Sequence, residues 1–325
     1  MKALVAKGYG GVEVLEVVDV PVPLPGPGQI QVRVAAAGLN PADVRLVSGA
    51  FREMAPLEFP HVLGSDFAGT VTAVGPGVAR FSTGDEIFGL GLARAAGSMA
   101  SLTSSPPSFT TGTMAEYAIF DADTPALAHR PAGLPVEHAA ALPIAALTAL
   151  PLLRAGNFAP GAKALVVGAA GGVGGAVVPL LAAQGVHVIA TAIPPDESYV
   201  RGLGAAETID HSSADTAAET LRRHPGGVDA LVNLVLPGPA LAEPARVVRP
   251  GGPLLTVAFP SPDPSTGFKT VYTHARPGDL DEVAALAVKG TLPSTVSRRY
   301  PLAEAARAYR DLVHEHVRGK LVVTG

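Results

Sequence analysis

A glycine-rich run between two apolar stretches constrains the fold of this chain more than any other feature. Residues 166–178 read VVGAAGGVGGAVV, with five glycines at the junction. The apolar ALVVG at its start is typical of a buried strand, and the residues from Val173 onward are typical of a helix. A strand, a bare turn and a helix together can seat the pyrophosphate of a dinucleotide on the free N–H groups of the helix start. The alternative is a tight turn that binds nothing.

The chain after residue 161 favours the dinucleotide interpretation. Gly168, Gly171 and Gly174 follow a GxxGxxG spacing, although the GxGxxG form is not present literally. The strand-like segments here are ALVVG, VHVIATA, ETID, VDALVNLV and GPLLTVAF, and after the glycine run further helices are expected at 198–203, 215–223 and 240–248. Strands that alternate with helices predict βαβ units and a parallel sheet.

The first 123 residues have a different pattern, in which short strands are separated by glycine and proline. The predicted strands are MKALVA, VEVLEVVDV, QIQVRVAAAG, FAGTVTAVG, DEIFG and AEYAIF. This spacing predicts a barrel-like β unit. A helix is predicted over 135–153, and the C-terminal tail contains helix 280–289, strand 296–300, helix 302–314 and the final strand KLVVT.

The composition excludes several classes of function. No cysteine occurs among the 325 residues, which excludes disulfides, thiolate nucleophiles and metal sites built on sulfur. His314 and His316 diverge on a helix, so no metal site is predicted there or elsewhere. The net charge is −4, and no apolar run approaches the roughly 20 residues of a membrane span. We therefore expect a cytoplasmic protein that binds neither nucleic acid nor membrane.

Several long segments carry a family resemblance. They are GLNPADVRLVSG (38–49), HVLGSDFAGTVTAVGPGVARFSTGDEIFG (61–89), AEYAIF (115–120), AAALPIAALTAL (139–150), GAAGGVG (168–174), and YPLAEAARAY with VRGKLVV near the end. In these segments the chain resembles the medium-chain dehydrogenase/reductase superfamily, and within it the zinc-free quinone oxidoreductase and enoyl reductase branch. The resemblance implies an α/β protein with a GroES-like β-rich catalytic domain (1–123, completed by 277–325) and a Rossmann doubly wound parallel-sheet domain (124–276). It also implies an active site between the two domains.

The resemblance assigns cofactor contacts to the matched positions. Asn40 and Thr148 would lie near the nicotinamide and its ribose, and Lys320 would approach from the C-terminal segment. The other expected contacts are Gly171, Gly172 and Val173 at the pyrophosphate, Thr191, Ala192 and Ile193 at the adenosine ribose, and Leu234, Val235 and Phe259 after later strands.

The departures from the family pattern concern the metal and the proton donor. Zinc-containing relatives carry a cysteine at the place of Asn40 and a His-Glu pair at the place of Ser65 and Asp66, so no zinc is expected. Many zinc-free relatives carry a tyrosine at the place of Arg45 or Phe51, and both tyrosines are missing here. The candidate catalytic residues are therefore Asn40, Arg45, Phe51 and Thr148, and the proton donor stays open.

The end of the second Rossmann strand bears on the choice of cofactor. NAD enzymes place an acidic residue there for the ribose 2′-hydroxyl. Here the strand ends in Thr191, Ala192 and Ile193, which favours NADPH, with NADH as the alternative. Arg201 and His211 are the candidate contacts to a 2′-phosphate, although a solvated helix residue is the simpler interpretation of Arg201.

The missing zinc ligands bear on the type of reaction. Reduction of a ketone leaves an alkoxide, which zinc stabilises as a Lewis acid. Reduction of a conjugated C=C bond leaves an enolate, for which hydrogen-bond donors can suffice. We therefore expect hydride transfer from NADPH to the β-carbon of a small apolar quinone, enone or enoyl thioester. The alternatives are a metal-free carbonyl or alcohol oxidoreductase and an NADPH-binding protein without turnover.

Two further expectations concern loops and edges. The Gly/Ser/Pro-rich segment 89–112 is expected either to wall an apolar substrate site or to be an exposed insertion. The segment FKTVYTH (268–274) alternates like an edge strand, and relatives commonly pair through such a strand, so a homodimer is expected. A free edge is equally compatible with its polar positions.

Overall fold

The computed structural model describes residues 1–53, 55–91 and 112–325, and their contacts divide the chain into two units. The first unit contains Met1–Leu147, His274–Val288 and Ser294–Gly325, and the second contains Thr148–Thr273 and Lys289–Pro293. The segment predicted to wall a substrate site lies almost wholly at 92–111, outside the described residues.

The strands and helices are as follows. The strands are β1 (Lys2–Ala6), β2 (Leu15–Asp19), β3 (Gln29–Gly38), β4 (His61–Val62), β5 (Asp66–Val74), β6 (Glu86–Leu90), β7 (Tyr117–Asp121), β8 (Leu127–His129), β9 (Lys163–Val167), β10 (His187–Thr191), β11 (Glu207–Ile209), β12 (Ala230–Asn233), β13 (Leu254–Thr256), β14 (Phe268–Thr270), β15 (Val296–Pro301) and β16 (Lys320–Thr324). The helices are α1 (Pro41–Val47), α2 (Val136–Ala141), α3 (Pro143–Gly156), α4 (Gly174–Ala183), α5 (Glu197–Gly202), α6 (Thr216–Arg223), α7 (Ala242–Ala245), α8 (Asp279–Val288) and α9 (Ala305–His314).

The first unit is built on two sheets. One has the order β2-β1-β4, and the other runs β15-β16-β3-β5-β6-β8, with β7 also paired to β3. Strand β3 is central because it pairs antiparallel with β5, β7 and β16. Its residues Ile30, Val32 and Val34 lie in the apolar core of this unit. The predicted GroES-like β-rich fold is confirmed.

The first unit extends further along the chain than the predicted boundary at residue 123. Strand β8 pairs with β6, and α2 packs on β3 and β5. The approach of α2 is close, because a Cβ on Gly38 would stand 2.5 Å from the Ala140 carbonyl oxygen. Residues 124–147 therefore belong with the β-rich unit rather than with the parallel sheet.

The second unit contains a six-stranded parallel sheet with the order β11-β10-β9-β12-β13-β14. Numbered within the unit, this order is 3-2-1-4-5-6, the order of the dinucleotide-binding doubly wound fold. Strands covered on both faces are apolar throughout, and Leu165, Ile189 and Leu231 are fully buried here. The predicted Rossmann-type fold is confirmed, and β14 lies at the predicted edge.

The helices differ from the sequence expectation at three places. Helix α1 was not anticipated, because seven residues give too short a period to recognise. The helix expected over 135–153 divides into α2 and α3 at Leu142, before Pro143. Helix α7 ends at Ala245 rather than near Val248, because the following residues form tight turns. No helix among the described residues is long and apolar enough to cross a membrane.

Candidate functional site

The carboxyl ends of β9, β10 and β12 meet at one edge of the parallel sheet. The Gly168 N–H donates to Thr191 Oγ1 at 3.1 Å, and the Leu234 N–H donates to the Val167 carbonyl oxygen at 3.0 Å. The strand order reverses between β9 and β12, and ligands of such sheets bind outside the strand ends at this point. The predicted residues that the structure brings to this edge are Gly171, Gly172, Val173, Thr191, Ala192, Ile193, Leu234 and Val235.

The glycines of the run have different geometric roles. Gly168 has a φ of +85°, in the left-handed region that favours glycine. A Cβ on Gly174 would stand 2.2 Å from the Ala169 carbonyl oxygen, so the helix start packs directly on the turn. A Cβ on Gly171 would meet its nearest atom at 3.6 Å. Gly168 and Gly174 therefore shape the turn, whereas Gly171 leaves its outer side open.

The start of α4 can receive an anion. Within the described part of the chain, no side chain caps the helix at Val173. Residues 170–173 are partly exposed, whereas the helix is buried from Gly174 to Leu181. Uncapped N–H groups and the positive end of the helix dipole attract a phosphate. The turn therefore fits the pyrophosphate of a nicotinamide dinucleotide.

The two predicted contacts to a 2′-phosphate differ in how free they are. Arg201 donates from Nε to Glu197 Oε1 at 2.9 Å, from Nη1 to the Ala206 carbonyl oxygen at 3.1 Å, and from Nη2 to Thr208 Oγ1 at 3.2 Å. Its guanidinium thus already makes hydrogen bonds to residues of the same unit. His211 is exposed in the loop that follows β11, the strand beside β10. This position suits a phosphate contact better than that of Arg201.

The remaining predicted residues of the second unit are partly or fully covered. Phe259 is partly buried after β13, with its ring centroid 6.1 Å from that of Tyr272. Thr148 is buried, and its hydroxyl lies 2.7 Å from that of Thr273. The two threonines therefore join the two ends of the continuous stretch 148–273, and their hydroxyls are partners of each other.

In the first unit, a buried polar cluster lies where β3 ends. Lys320 begins β16, Asp66 begins β5 and Asn40 follows β3, so three neighbouring strands bring these residues together. The Lys320 ammonium donates to Asp66 Oδ2 at 2.8 Å and to Asn40 Oδ1 at 2.6 Å. Asn40 Nδ2 donates to Asp66 Oδ2 at 3.0 Å, and the Ile144 N–H donates to Asp66 Oδ1 at 2.8 Å. Side-chain exposure is 3% for Lys320 and 0% for Asp66, so the ion pair is shielded from solvent.

A second buried carboxylate supports this cluster from α1. Asp43 Oδ2 accepts from the Asn40 N–H at 2.9 Å and from the Tyr309 hydroxyl at 2.8 Å, and Oδ1 accepts from Ser65 Oγ at 2.6 Å. Burial raises the pKa of Asp43 to about 6, and the three donors only partly oppose this rise. Burial and the neighbouring Asp43 carboxylate together hold the pKa of Tyr309 well above its usual range.

The cluster does not offer the ligand set of a catalytic zinc ion. Such sites use three protein ligands among histidine, cysteine and carboxylates. At the matched positions Asn40 and Ser65 contribute an amide and a hydroxyl, and only Asp66 contributes a carboxylate. The Lys320 ammonium already occupies that carboxylate and would repel a metal cation.

The positions of the two missing tyrosines lie at or after α1. Arg45 is exposed on the helix, and Phe51 is partly buried against the apolar core of the first unit. The sequence interpretation did not include Tyr309 in the site. The spacing of Ala305, Ala308 and Tyr309 marks a buried helix face, but nothing local indicates a bond to Asp43, 266 residues away.

Comparisons with known proteins agree with this geometry. A family model of the alcohol dehydrogenase GroES-like domain matches residues 26–131, and a zinc-binding dehydrogenase model matches residues 203–323. The chloroplast envelope quinone oxidoreductase homolog of Arabidopsis thaliana is 31% identical, over 99% of this chain and 98% of its own. The chloroplastic NADPH-dependent alkenal/one oxidoreductase of Arabidopsis thaliana is 32% identical, over 99% of this chain and 79% of its own. The solved quinone oxidoreductase of Coxiella burnetii has a TM-score of 0.86 and 27% identity, over 100% and 99% of the two chains.

The GroES-like unit, the 3-2-1-4-5-6 sheet and these matches define an oxidoreductase that uses a nicotinamide cofactor. The chain belongs to the medium-chain dehydrogenase/reductase superfamily, in its quinone oxidoreductase and enoyl reductase branch.

Proposed function

We propose that this protein is a zinc-independent, NADPH-dependent oxidoreductase that reduces the conjugated C=C bond of a small apolar quinone, enone or enoyl thioester. The observation that carries the proposal is the buried Lys320–Asp66 pair, with Nζ and Oδ2 2.8 Å apart. A fixed protein cation occupies the one carboxylate among the positions that hold zinc ligands in metal-dependent relatives. NADPH is supported by the absence of a carboxylate at Thr191, Ala192 and Ile193 and by the alkenal/one oxidoreductase relative.

The chain's residues would bind and orient the cofactor rather than supply covalent chemistry. NADPH, when bound, supplies the hydride that goes to the β-carbon of the substrate. The turn from Gly168 to Val173 would hold the pyrophosphate, and His211 would face the 2′-phosphate. Lys320 has three donor hydrogens, two of which go to Asp66 and Asn40. A proton from water or from a donor side chain is added to the α-carbon of the substrate.

The test is anaerobic NADPH oxidation against quinones, enones, enoyl thioesters and simple ketones. The untagged protein is first treated with a zinc chelator, and its metal content is measured by mass spectrometry. We expect turnover of conjugated substrates by the metal-free protein. Turnover of ketones alone would reject the double-bond proposal, and recovery of activity only after added zinc would reject zinc independence. NADPH binding without turnover of any substrate would favour a non-catalytic role.

A homodimer and a cytoplasmic location remain predictions from the sequence. Sedimentation of the purified protein tests the first, because a dimer has twice the mass of the 325-residue chain. Loss of that dimer on replacing Lys269, in the edge strand β14, by proline would place the contact at this edge.

A further inference from the structure

A cluster of side chains that can bind a metal lies in the second unit, at the amino end of the parallel sheet. It is not at the glycine edge, which is the carboxyl end of the sheet where the turn from Gly168 to Val173 lies. His187 begins β10, Glu207 begins β11 and His224 follows α6. Nε2 of His187 is hydrogen-bonded to Glu207 Oε1 at 2.7 Å, and Nε2 of His224 lies 3.1 Å from the same oxygen. One ligand atom from each of the three residues falls within 4.8 Å of the other two.

We propose that His187, Glu207 and His224 bind one zinc ion. Two imidazoles and one carboxylate are a ligand set that zinc takes, with a water in the fourth position. Zinc–ligand bonds of about 2.0–2.2 Å in a tetrahedron separate neighbouring ligand atoms by roughly 3.4 Å. The observed separations are within about 1.5 Å of that value, so side-chain rotation alone can form the site.

The orientation of His224 supports a shared cation. Its Nε2 is buried and makes no hydrogen bond among the described residues, although Glu207 Oε1 is only 3.1 Å away. The distance is therefore short without the direction of an N–H···O bond. Two ligands of one metal ion have this relation, since each points at the ion rather than at the other. The His224 side chain is only 10% exposed, so water does not readily replace the missing partner.

Arg223 and Lys163 border the cluster, and they act differently. Arg223 Nη1 lies 3.6 Å from Glu207 Oε2, the oxygen that is not paired with the histidines, and Arg223 Nε donates to Glu219 at 2.7 Å. Arg223 can thus orient Glu207, as outer partners of metal ligands do. Lys163 Nζ lies 3.0 Å from His224 Nδ1. When a metal binds Nε2, the proton of the imidazole is on Nδ1, which then acts as a hydrogen-bond donor. The Lys163 ammonium cannot accept that hydrogen bond, so Lys163 opposes metal binding.

The proposed zinc ion would stabilise the sheet without touching the cofactor. It would join β10, the edge strand β11 and the end of α6. His187 and Thr191 are the first and last residues of β10, about 13 Å apart along an extended strand. Zinc here is therefore separate from the glycine edge, and from the hydride chemistry proposed above.

The experiment is calorimetric titration of zinc chloride into the untagged, chelator-treated full chain, with thermal unfolding as a second readout. We expect one zinc per chain and a higher Tm in its presence. His187→Ala with His224→Ala should abolish both effects. Lys163→Gln removes the opposing charge and offers Nδ1 an acceptor, so it should tighten zinc binding about tenfold or more. His314→Ala with His316→Ala is the matched control and should leave both readouts unchanged.

Each outcome decides the proposal. Absence of zinc binding by the wild-type chain and by the Lys163→Gln variant overturns it, and so does undiminished binding by the His187/His224 double variant. Cooperative thermal unfolding of each variant without metal shows that it is folded. The proposed enzyme activity is assayed on the same double variant, and we expect it to be unchanged, so the two proposals can fail independently.

Discussion

Lys320 is the residue on which the buried cluster of the first unit depends most, because it supplies the positive charge beside Asp66. Removing one partner of a buried ion pair leaves an uncompensated charge and costs about 3–5 kcal/mol. We expect Lys320→Met to lower the free energy of unfolding by about that amount in urea denaturation at pH 7.

The matched control is the double variant Lys320→Met with Asp66→Asn, which removes both charges. An asparagine keeps an acceptor for the Ile144 N–H, which now donates to Asp66 Oδ1. The double variant should therefore be more stable than Lys320→Met alone by about 1 kcal/mol or more. If the double variant loses as much free energy of unfolding as the two single variants together, the result would contradict the pairing of Lys320 with Asp66.

Replacing Tyr309 tests the charge of the second buried carboxylate, Asp43, through the pH dependence of the free energy of unfolding. Asp43 has a folded pKa of about 6, above the value of about 3.9 usual in an unfolded chain, so its ionisation opposes folding above pH 6. The resulting loss of stability disappears as the pH falls from about 6 to about 4. The Tyr309 hydroxyl stabilises the ionised form, so Tyr309→Phe should cost about 1–3 kcal/mol at pH 8 and less at pH 5.

Tyr300→Phe is the control for this measurement. The Tyr300 hydroxyl donates to Asp311 Oδ2 at 2.7 Å, a bond of similar length outside the buried cluster. Its loss should cost the same free energy of unfolding at pH 5 and pH 8. If Tyr309→Phe shows the same pH-independent loss, the hydroxyl does not stabilise an ionised Asp43.

In the glycine turn between β9 and α4, different glycines serve cofactor binding and folding, so the two roles can be tested separately. Gly171→Ala adds a methyl group on an open side, 3.6 Å from its nearest neighbour, where a pyrophosphate would approach the backbone. We expect it to raise the Kd for NADPH about tenfold or more, with Tm nearly unchanged. Gly174→Ala would place its Cβ 2.2 Å from the Ala169 carbonyl oxygen, so it should lower Tm.

Gly202→Ala serves as the control for both effects, because a Cβ there meets nothing within 4 Å. Fluorescence titration with NADPH and thermal unfolding measure the two quantities on the same samples. Unchanged NADPH affinity in Gly171→Ala would mean that the pyrophosphate does not lie on this turn.

The elements that were predicted correctly are those with a local signal. Alternation within QIQVRVAAAG marks β3, and the glycines of the run mark the turn between β9 and α4. Short elements lack such a period, as α1 shows with seven residues. Partners far apart in sequence leave no local pattern, and Asn40 and Lys320 are 280 residues apart. Only the family resemblance assigned those two residues to one cofactor.

The zinc-ligand cluster was missed for a related reason. His187, Glu207 and His224 come from two strands and a helix end, and the sequence separation of 20 between His187 and Glu207 matches no metal-binding spacing. The parallel sheet sets them side by side because the amino ends of its neighbouring strands share one edge. Sheet order, rather than spacing along the chain, determines this site.

At the scale of the whole molecule, the two units differ in how the chain builds them. The parallel sheet comes from one continuous stretch, whereas the first unit needs both ends of the chain, since β16 pairs with β3. We therefore expect residues 143–273 to fold alone and to bind NADPH. Residues 1–147 should stay unfolded, because β3 would lose the pairing of β16, and Asp66 would be buried without Lys320.

Circular dichroism, amide NMR dispersion and NADPH fluorescence of the two fragments measure this difference. Adding residues 274–325 as a separate chain should restore β structure to the fragment 1–147, because it returns β15, β16 and the Lys320 charge together. The same addition with Lys320→Met should restore less, since the strands return without the cation. A cooperatively folded 1–147 fragment on its own would contradict the dependence of this unit on the C-terminal strands.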